Sequence, residues 1–331
     1  GIGESSCSLT APEGDVWAKK ATLYLVGDTE GTTEYLKTVK DITVKCRKAS
    51  GDWFSPSQEK IKNAVEVSGL EPGTDYIFKA VIDGTNTITV KNEVSVKTEE
   101  ALQIPNSGFE DWYTDSDGLP KPAKDASSSF WDCGNVNYFG KHIMTTQNDE
   151  TALGQGSSVK METQETMKII AAGNIFTGTF ERDGMGGILT LGRNFECRPN
   201  KLKGYYKYTS AKVSVSKGHL NEGEDDLCSL YIALTDEQIT VNTNKGIYFD
   251  PNSSAVIAYG SISDEESKGA DSFKEFTVDL EYKDLKRIPK YIIVVASSSK
   301  YGDYMEGGKG STMWLDDLEL VYPKSMEEVR K

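Results

Sequence analysis

Histidine is the scarcest chemically versatile residue in this 331-residue chain: His142 and His219 are the only two. A three-His zinc site is therefore excluded, and any Ser-His-acid triad has to draw on one of these rings. The five cysteines, Cys7, Cys46, Cys133, Cys197 and Cys228, include no CxxC pair. Thiolate metal clusters are therefore not expected. The thiols read as small buried hydrophobes, with a single disulfide in the C-terminal half left open. Basic residues are outnumbered, 37 Lys and Arg against 51 Asp and Glu, for a formal net charge of −14. Such a chain repels phosphate backbones and anionic lipid, so nucleic acid is not the expected partner. No apolar run approaches the ~20 residues of a membrane-spanning helix. The opening GIGESSCSLT has neither the basic nor the apolar region of a secretory signal. Helical periodicity is scarce as well.

What is present points to strands. The chain is rich in glycine (31) and tyrosine (16), and 37% of it is hydrophobic, enough at this length to bury a real core. Residues 12–100 read as a first domain of short strands, among them ATLYLV, DITVKC, AVEVSGL, DYIFKAVI and VSVKT. Turn material such as KASGDW, EPGT and DGTN separates them, the pattern of a β-sandwich. In VSGLEPGTDYIFKAVI, a Pro-Gly-Thr turn followed by a tyrosine that opens a strand has the layout of a tyrosine corner. Tyr76 is expected to bury its ring and bond its hydroxyl to backbone upstream. This stretch resembles fibronectin type III and related immunoglobulin-like modules, which implies a spacer.

KTEEALQIPNSG (97–108) reads as the linker, because Pro105 breaks strand pairing and the polar residues around it cannot hold a core. Residues 101–323 are too long for one immunoglobulin-like sandwich and suit a jelly roll, with strands such as KGYYKYTSA, LCSLYIALT, AVIAYGSI, YIIVVASSS and TMWLDDLELVY. The fold class is thus all-β: an immunoglobulin-like sandwich followed by a larger jelly roll. The tail PKSMEEVRK reads as frayed.

Three motifs resolve to turns or loops. GGKGST (307–312) resembles the end of a phosphate-binding loop, but Lys309 is followed by Gly310 and no helix follows. DSDG (115–118) resembles a calcium loop but lacks the first and twelfth ligands. NEGEDD (221–226) is a solvated acidic loop.

Two constellations carry more. In TMWLDDLELVY, strict alternation puts Trp314, Asp316, Leu318, Leu320 and Tyr322 on one face, so Asp316 would be a carboxylate among apolar side chains. A buried carboxylate has to be paired, hydrogen-bonded or metal-bound. Glu110, at the entry to the same domain, is its expected neighbour, and the two can share a structural Ca2+ or simply accept backbone amides. The second constellation is aromatic and polar: Trp112, Trp131, Tyr138, Tyr205, Tyr206 and Tyr208 with Arg182, Arg198 and His142. Rings that stack on sugar C–H faces, together with planar groups that bond hydroxyls, suit a saccharide. In GYYKYT one face, either Tyr206 with Tyr208 or Tyr205 with Lys207, is core. Hydrolysis needs two carboxylates ~5 to 9.5 Å apart. Glu110, Asp132, Glu196 and Asp226 are candidates, with no spacing that singles out a pair.

From about Pro105 to Tyr322 the chain resembles the family called the putative carbohydrate metabolism domain. The resemblance is carried by NSGFEDW, FWDCGN, GNIFTGTF, FECRPNKLKGYYKY, FTVDLEY and IIVVASSSKYGDYMEGGKGSTMWLDDLELVY. It implies a jelly roll with a role in glycan recognition or processing. It also implies a place in the bacterial cell envelope, behind an immunoglobulin-like module, with a lipid anchor in the precursor. The first and last strands are similar to those of jelly-roll carbohydrate-binding modules in which an opening Glu and a closing Asp hold calcium, where Glu110 and Asp316 stand here. The resulting expectation is a monomeric glycan-binding protein. Trp131 and one of Tyr206 and Tyr208 stack on a sugar ring, Arg198 and His142 bond its hydroxyls, and Lys207 lies beside them. The alternatives are a glycoside hydrolase, which requires a carboxylate pair in one cleft, and an adhesive protein, which requires an exposed apolar patch.

Overall fold

The computed structural model describes residues 5–83 and 87–330, so the turn read at DGTN and the first residues of GIGESSCSLT lie largely outside it. Among the described residues nearly every regular element is a strand, and no helix is long and apolar enough to cross a membrane. The chain forms two β-sandwiches with separate cores.

In the first sandwich, a five-stranded sheet (order Ser57–Ile61, Ala64–Ser68, Ala21–Gly27, Ser6–Thr10, Thr89–Val90) faces a three-stranded one (Ile42–Lys48, Asp75–Ile82, Val94–Lys97). Alternation in Ile42–Lys48 aims Ile42, Val44 and Cys46 inward, where they meet Leu23, Leu25, Val65 and Val67 of the opposite sheet. The tyrosine corner is present: the buried Tyr76 hydroxyl accepts the Glu71 amide at 3.0 Å.

The second sandwich pairs a five-stranded sheet with a long one. The former runs Thr145–Asn148, Ser158–Glu162, Thr312–Val321, Lys201–Thr209, Ala270–Asp279. The latter runs Ile239–Asn242, Gly186–Leu191, Asn174–Asp183, Tyr291–Ser297, Ser229–Thr235, Val256–Ser261, Glu281–Tyr282. Its core includes Met161, Leu202, Leu230, Ile232, Val278, Val294 and Leu315.

Thr312–Val321 departs from strict alternation. A β-bulge shifts its register against Lys201–Thr209 between Lys203 and Tyr205, and Asp317 there takes a left-handed φ of 48°. Met313 and Leu315 face the core before the bulge, and Leu318, Leu320 and Tyr322 face it after. Trp314 and Asp316 are thereby turned to the opposite face, which corrects the single-face expectation. Gly204 lies opposite the bulge because a Cβ there would come within 2.7 Å of Leu318 Cδ2.

The segment after residue 97 is not a loose linker. Ile104 is buried, and the Gln103 side chain bonds both the amide and the carbonyl of Leu320, as a strand would. The tail is not frayed either. Arg330 pairs with Glu66 through both terminal guanidinium nitrogens, and Lys324 O accepts the Gly69 amide, so the C-terminus is strapped to the first sandwich. All five cysteines are free and buried.

Candidate functional site

The long sheet is apolar on both faces. In Tyr291–Ser297, Ile292, Val294 and Ala296 join the core between the sheets. Ile293 joins a second cluster on the outer face, with Phe176, Leu189, Leu191, Ala233, Val241 and Val256. Partly buried Phe180, Tyr231, Phe249 and Tyr259 extend that outer cluster. An outer face of this kind has to be covered or used. Here it is covered in part by the Gln164–Thr166/Ile169–Ala171 hairpin and by loops around residues 138 and 303, leaving a cleft of about 440 Å³.

The cleft has an aromatic floor and few free polar groups. Tyr231 lines it and stacks on Phe249 with centroids 4.8 Å apart, and Tyr259 lies 6.0 Å from both rings. Arg182 sits over the Tyr138 ring at 4.3 Å and donates to Gly184 O. His142 Nε2 lies 3.2 Å from Tyr138 O. Asp303 is the only carboxylate among the lining residues. Burial lifts its pKa to about 6, and no group among the described residues hydrogen-bonds to it. Burial raises the Tyr231 hydroxyl, and the Asp303 charge adds to that. Beside Asp303 a second aromatic stack continues outward: Tyr248 on Tyr304 at 3.9 Å, and His219 on Tyr301 at 4.3 Å. Buried Glu306 fixes His219 through Nδ1 at 3.1 Å and also accepts the amides of Lys217, His219 and Leu220. Burial pushes the Glu306 carboxyl up, but those donors outweigh it and hold the group below its usual range.

A larger cleft, about 890 Å³, lies where the sandwiches meet and is lined by Glu13, Glu99, Glu100, Glu196, Lys97 and Lys290 among others. Arg198 is behind it. Its guanidinium pairs with Glu99 at 2.8 Å, donates to the carbonyls of Gly14, Val16 and Leu285, and lies 4.2 Å over Trp17. Buried Lys20 stands on the same ring at 3.7 Å, and its pKa is lowered to about 7 by burial first and by Arg198 second.

These placements correct most of the ligand set read from the sequence. Trp131 is 1% exposed, donates to Pro105 O and packs edge-on against Phe109, so it is a core ring. Tyr206 and Tyr208, both 2% exposed or less, take the inward face of GYYKYT and bond Glu266 O and Ser298 O. Arg198 holds the two sandwiches together and reaches no ligand surface. Lys207, on the other face of its strand, pairs with Glu150 and covers the Trp314 ring at 4.1 Å, among residues that do not line the cleft. His142 lines the cleft, as do Tyr138 and Arg182 of the wider aromatic set.

The four carboxylates considered for hydrolysis do not converge. Asp132 pairs with Lys121 and accepts the Phe180 amide. Asp226 is buried, and its Oδ2 accepts Ser299, Ser311 and the Gly308 amide, so it ties the GGKGST turn in place. Glu196 is exposed at the junction cleft. Glu110 accepts the Ser157 amide and hydroxyl. Asp316, on the outer face, accepts the Ala152 amide through Oδ2, while its buried Oδ1 has no partner. Glu110 and Asp317 oxygens both come within 3.5 Å of the point where a Cβ on Gly108 would sit, and both charges act on Asp316. Among the described residues no three His, Cys, Asp or Glu side chains form a metal-ligand set.

Of the cleft residues missed in the sequence, Tyr231 had a usable signal and Asp303 had none. SLYIALT and YIIVVAS are continuous apolar runs rather than alternating ones, the mark of strands buried on both faces.

Comparison with known proteins agrees with this architecture. The profile of the family described as "putative carbohydrate metabolism domain" matches residues 105–321. The crystal structure of a "putative glycoside hydrolase" from Bacteroides thetaiotaomicron is 19% identical, with a TM-score of 0.52 over 97% of this chain and 91% of that one. A second structure so described, from Bacteroides vulgatus, is 23% identical over 67% of this chain and 95% of that one, with a TM-score of 0.46. No curated protein matches.

Proposed function

The chain belongs to the putative carbohydrate metabolism domain family, and from that premise we propose that its outer-face cleft binds a glycan without hydrolysing it. The observation that carries this is the cleft itself. An accessible aromatic floor at Tyr231 adjoins a free carboxyl at Asp303, with Arg182 and His142 at the side. Flat rings take the C–H face of a pyranose, and polar groups at the edge take its hydroxyls. A glycosidase needs a second carboxyl across the scissile bond, and Asp303 has no such partner in the lining. The test is a glycan array probed with wild type and Tyr231→Ala. Binding of at least one saccharide that the variant loses supports the reading, and no saccharide bound by wild type overturns it. Reducing ends released from a bound glycan would establish hydrolysis instead.

Two further expectations stand as proposals. The first is location in the cell envelope, with the first sandwich as spacer, which fractionation of the producing cell tests. The second is a structural Ca2+ held by Glu110 and Asp316. The unpartnered Asp316 Oδ1 and the neighbouring Asp317 carboxylate fit a hard cation, provided backbone carbonyls complete the shell. A rise in melting temperature with Ca2+, reversed by chelator and absent in Asp316→Asn, is the expected result. No rise in wild type removes the proposal.

A further inference from the structure

We propose that the glycan taken by this cleft carries an apolar substituent, an alkyl, acyl or aryl group, and that three loop tips form the seat for that group. This rests on the reading of the cleft as a saccharide site. The tips are Phe139, Met167 and Met185, which are 94%, 90% and 58% exposed, and all three line the same cleft. Large apolar side chains that exposed are costly to leave in water, and here they gather around one hollow instead of scattering over the surface.

The backbone beneath them points the same way. Phe139 and Met167 have φ of 53° and 52°, and Met305, also in the lining, has 59°. The left-handed region is unfavourable for bulky residues, and at ordinary turns glycine or asparagine occupies it. Glycine follows Phe139 at Gly140 and precedes Met185 at Gly184, so these two turns already hold a residue suited to a tight reversal, whereas at Met167 the turn is made by Met167 and Lys168, both left-handed. The apolar side chain stands at the tip regardless. Strain of this kind persists where a side chain has to be displayed.

The polar groups of the cleft complete the argument. Half of the polar side chains in the lining are already bonded to the protein. Asn174 accepts the Gly134 amide, Thr243 binds both the amide and the carbonyl of Gly187, Ser297 donates to Ser299 O, and Ser299 donates to Asp226. Arg182 has spent one nitrogen on Gly184 O. Asp303, the Lys300 ammonium and the hydroxyls of Tyr138, Thr166, Ser229 and Tyr231 are left without hydrogen bonds to protein among the described residues, and none of them belongs to the three tips. Hydroxyls of an unsubstituted oligosaccharide seated between the three tips would meet apolar side chains, and each unbonded hydroxyl there costs affinity. A sugar ring at the Tyr231–Asp303 end with an apolar group between the three tips satisfies both halves of the cleft.

The test compares methyl, n-octyl and phenyl glycosides of a panel of common hexoses, with n-octanol as the chain alone, by titration calorimetry against the full chain. For the sugar that binds, the octyl or phenyl glycoside is expected to bind at least tenfold tighter than the methyl glycoside. In Phe139→Ser/Met167→Ser that ratio falls below threefold. Leu153→Ser, an exposed apolar site outside the cleft, leaves the ratio unchanged. All these positions are exposed, so folding is not at risk. Methyl and octyl glycosides of equal affinity overturn this inference and leave the saccharide reading standing. Octanol binding as tightly as every octyl glycoside, or no glycoside binding at all, overturns both.

Discussion

The two clefts of this protein teach different lessons. The junction cleft is twice the size and holds four glutamates, yet its most deeply placed groups are occupied in joining the sandwiches: Glu99 neutralises Arg198, and Arg198 satisfies three carbonyls. The outer-face cleft is smaller and poorer in charge, and it keeps an aromatic floor and one carboxyl unspent. What marks a site is chemistry left unsatisfied by the fold, not volume or charge count.

Four changes break or sharpen that contrast. Arg198→Ala should have the largest effect. It strands the half-buried Glu99 and three carbonyls at once, and chemical denaturation should show a loss of about 3–5 kcal/mol, while the folded fraction still binds glycan. Loss of glycan binding at unchanged stability would instead place the site at the junction.

Asp316→Asn comes next, with the opposite sign. Burial, reinforced by Asp317 and Glu110, lifts Asp316 to about 6, against ~3.9 in an unfolded chain. Between those values the native state keeps a proton that the unfolded state has lost. Stability therefore falls as pH rises from about 4 to 6 and stays lower above. Denaturation across this range should show the variant more stable than wild type by about 2–3 kcal/mol at pH 7 and equal to it at pH 4. Saturating Ca2+ should erase the gap if the cation proposal is right.

Tyr231→Ala should weaken glycan binding by about 1–2 kcal/mol, roughly five- to thirtyfold, measured by calorimetry. Glu196→Gln should be the smallest effect, within ~0.5 kcal/mol in stability, and should leave glycan affinity as it was. A large loss there would return the junction glutamates to contention.

Particular residues show how far the sequence could be read. The tyrosine corner at Tyr76 was legible because its logic is local: a turn, a strand start and a hydroxyl five residues from its partner. The aromatic set was read by composition, and composition does not say which face of a strand a ring occupies. Trp131, Tyr206 and Tyr208 went inward. Tyr231, in a run read only as a strand, lines the cleft. Arg198 was misplaced for a related reason. Its partners Gly14, Val16 and Glu99 lie about a hundred or more positions away, across a junction no local pattern announces. At Asp317 one extra residue in a strand reversed every side-chain direction on one side of it, as a period of two requires.

The sequence by itself determined the all-β class, the two-sandwich order and the family, because strand-forming residues, turn chemistry and motif spelling act over short distances. Only the tertiary structure decided which rings are sealed and which are presented. That choice depends on bulges, on the pairing of distant strands, and on which of a sheet's two apolar faces the rest of the chain is long enough to cover.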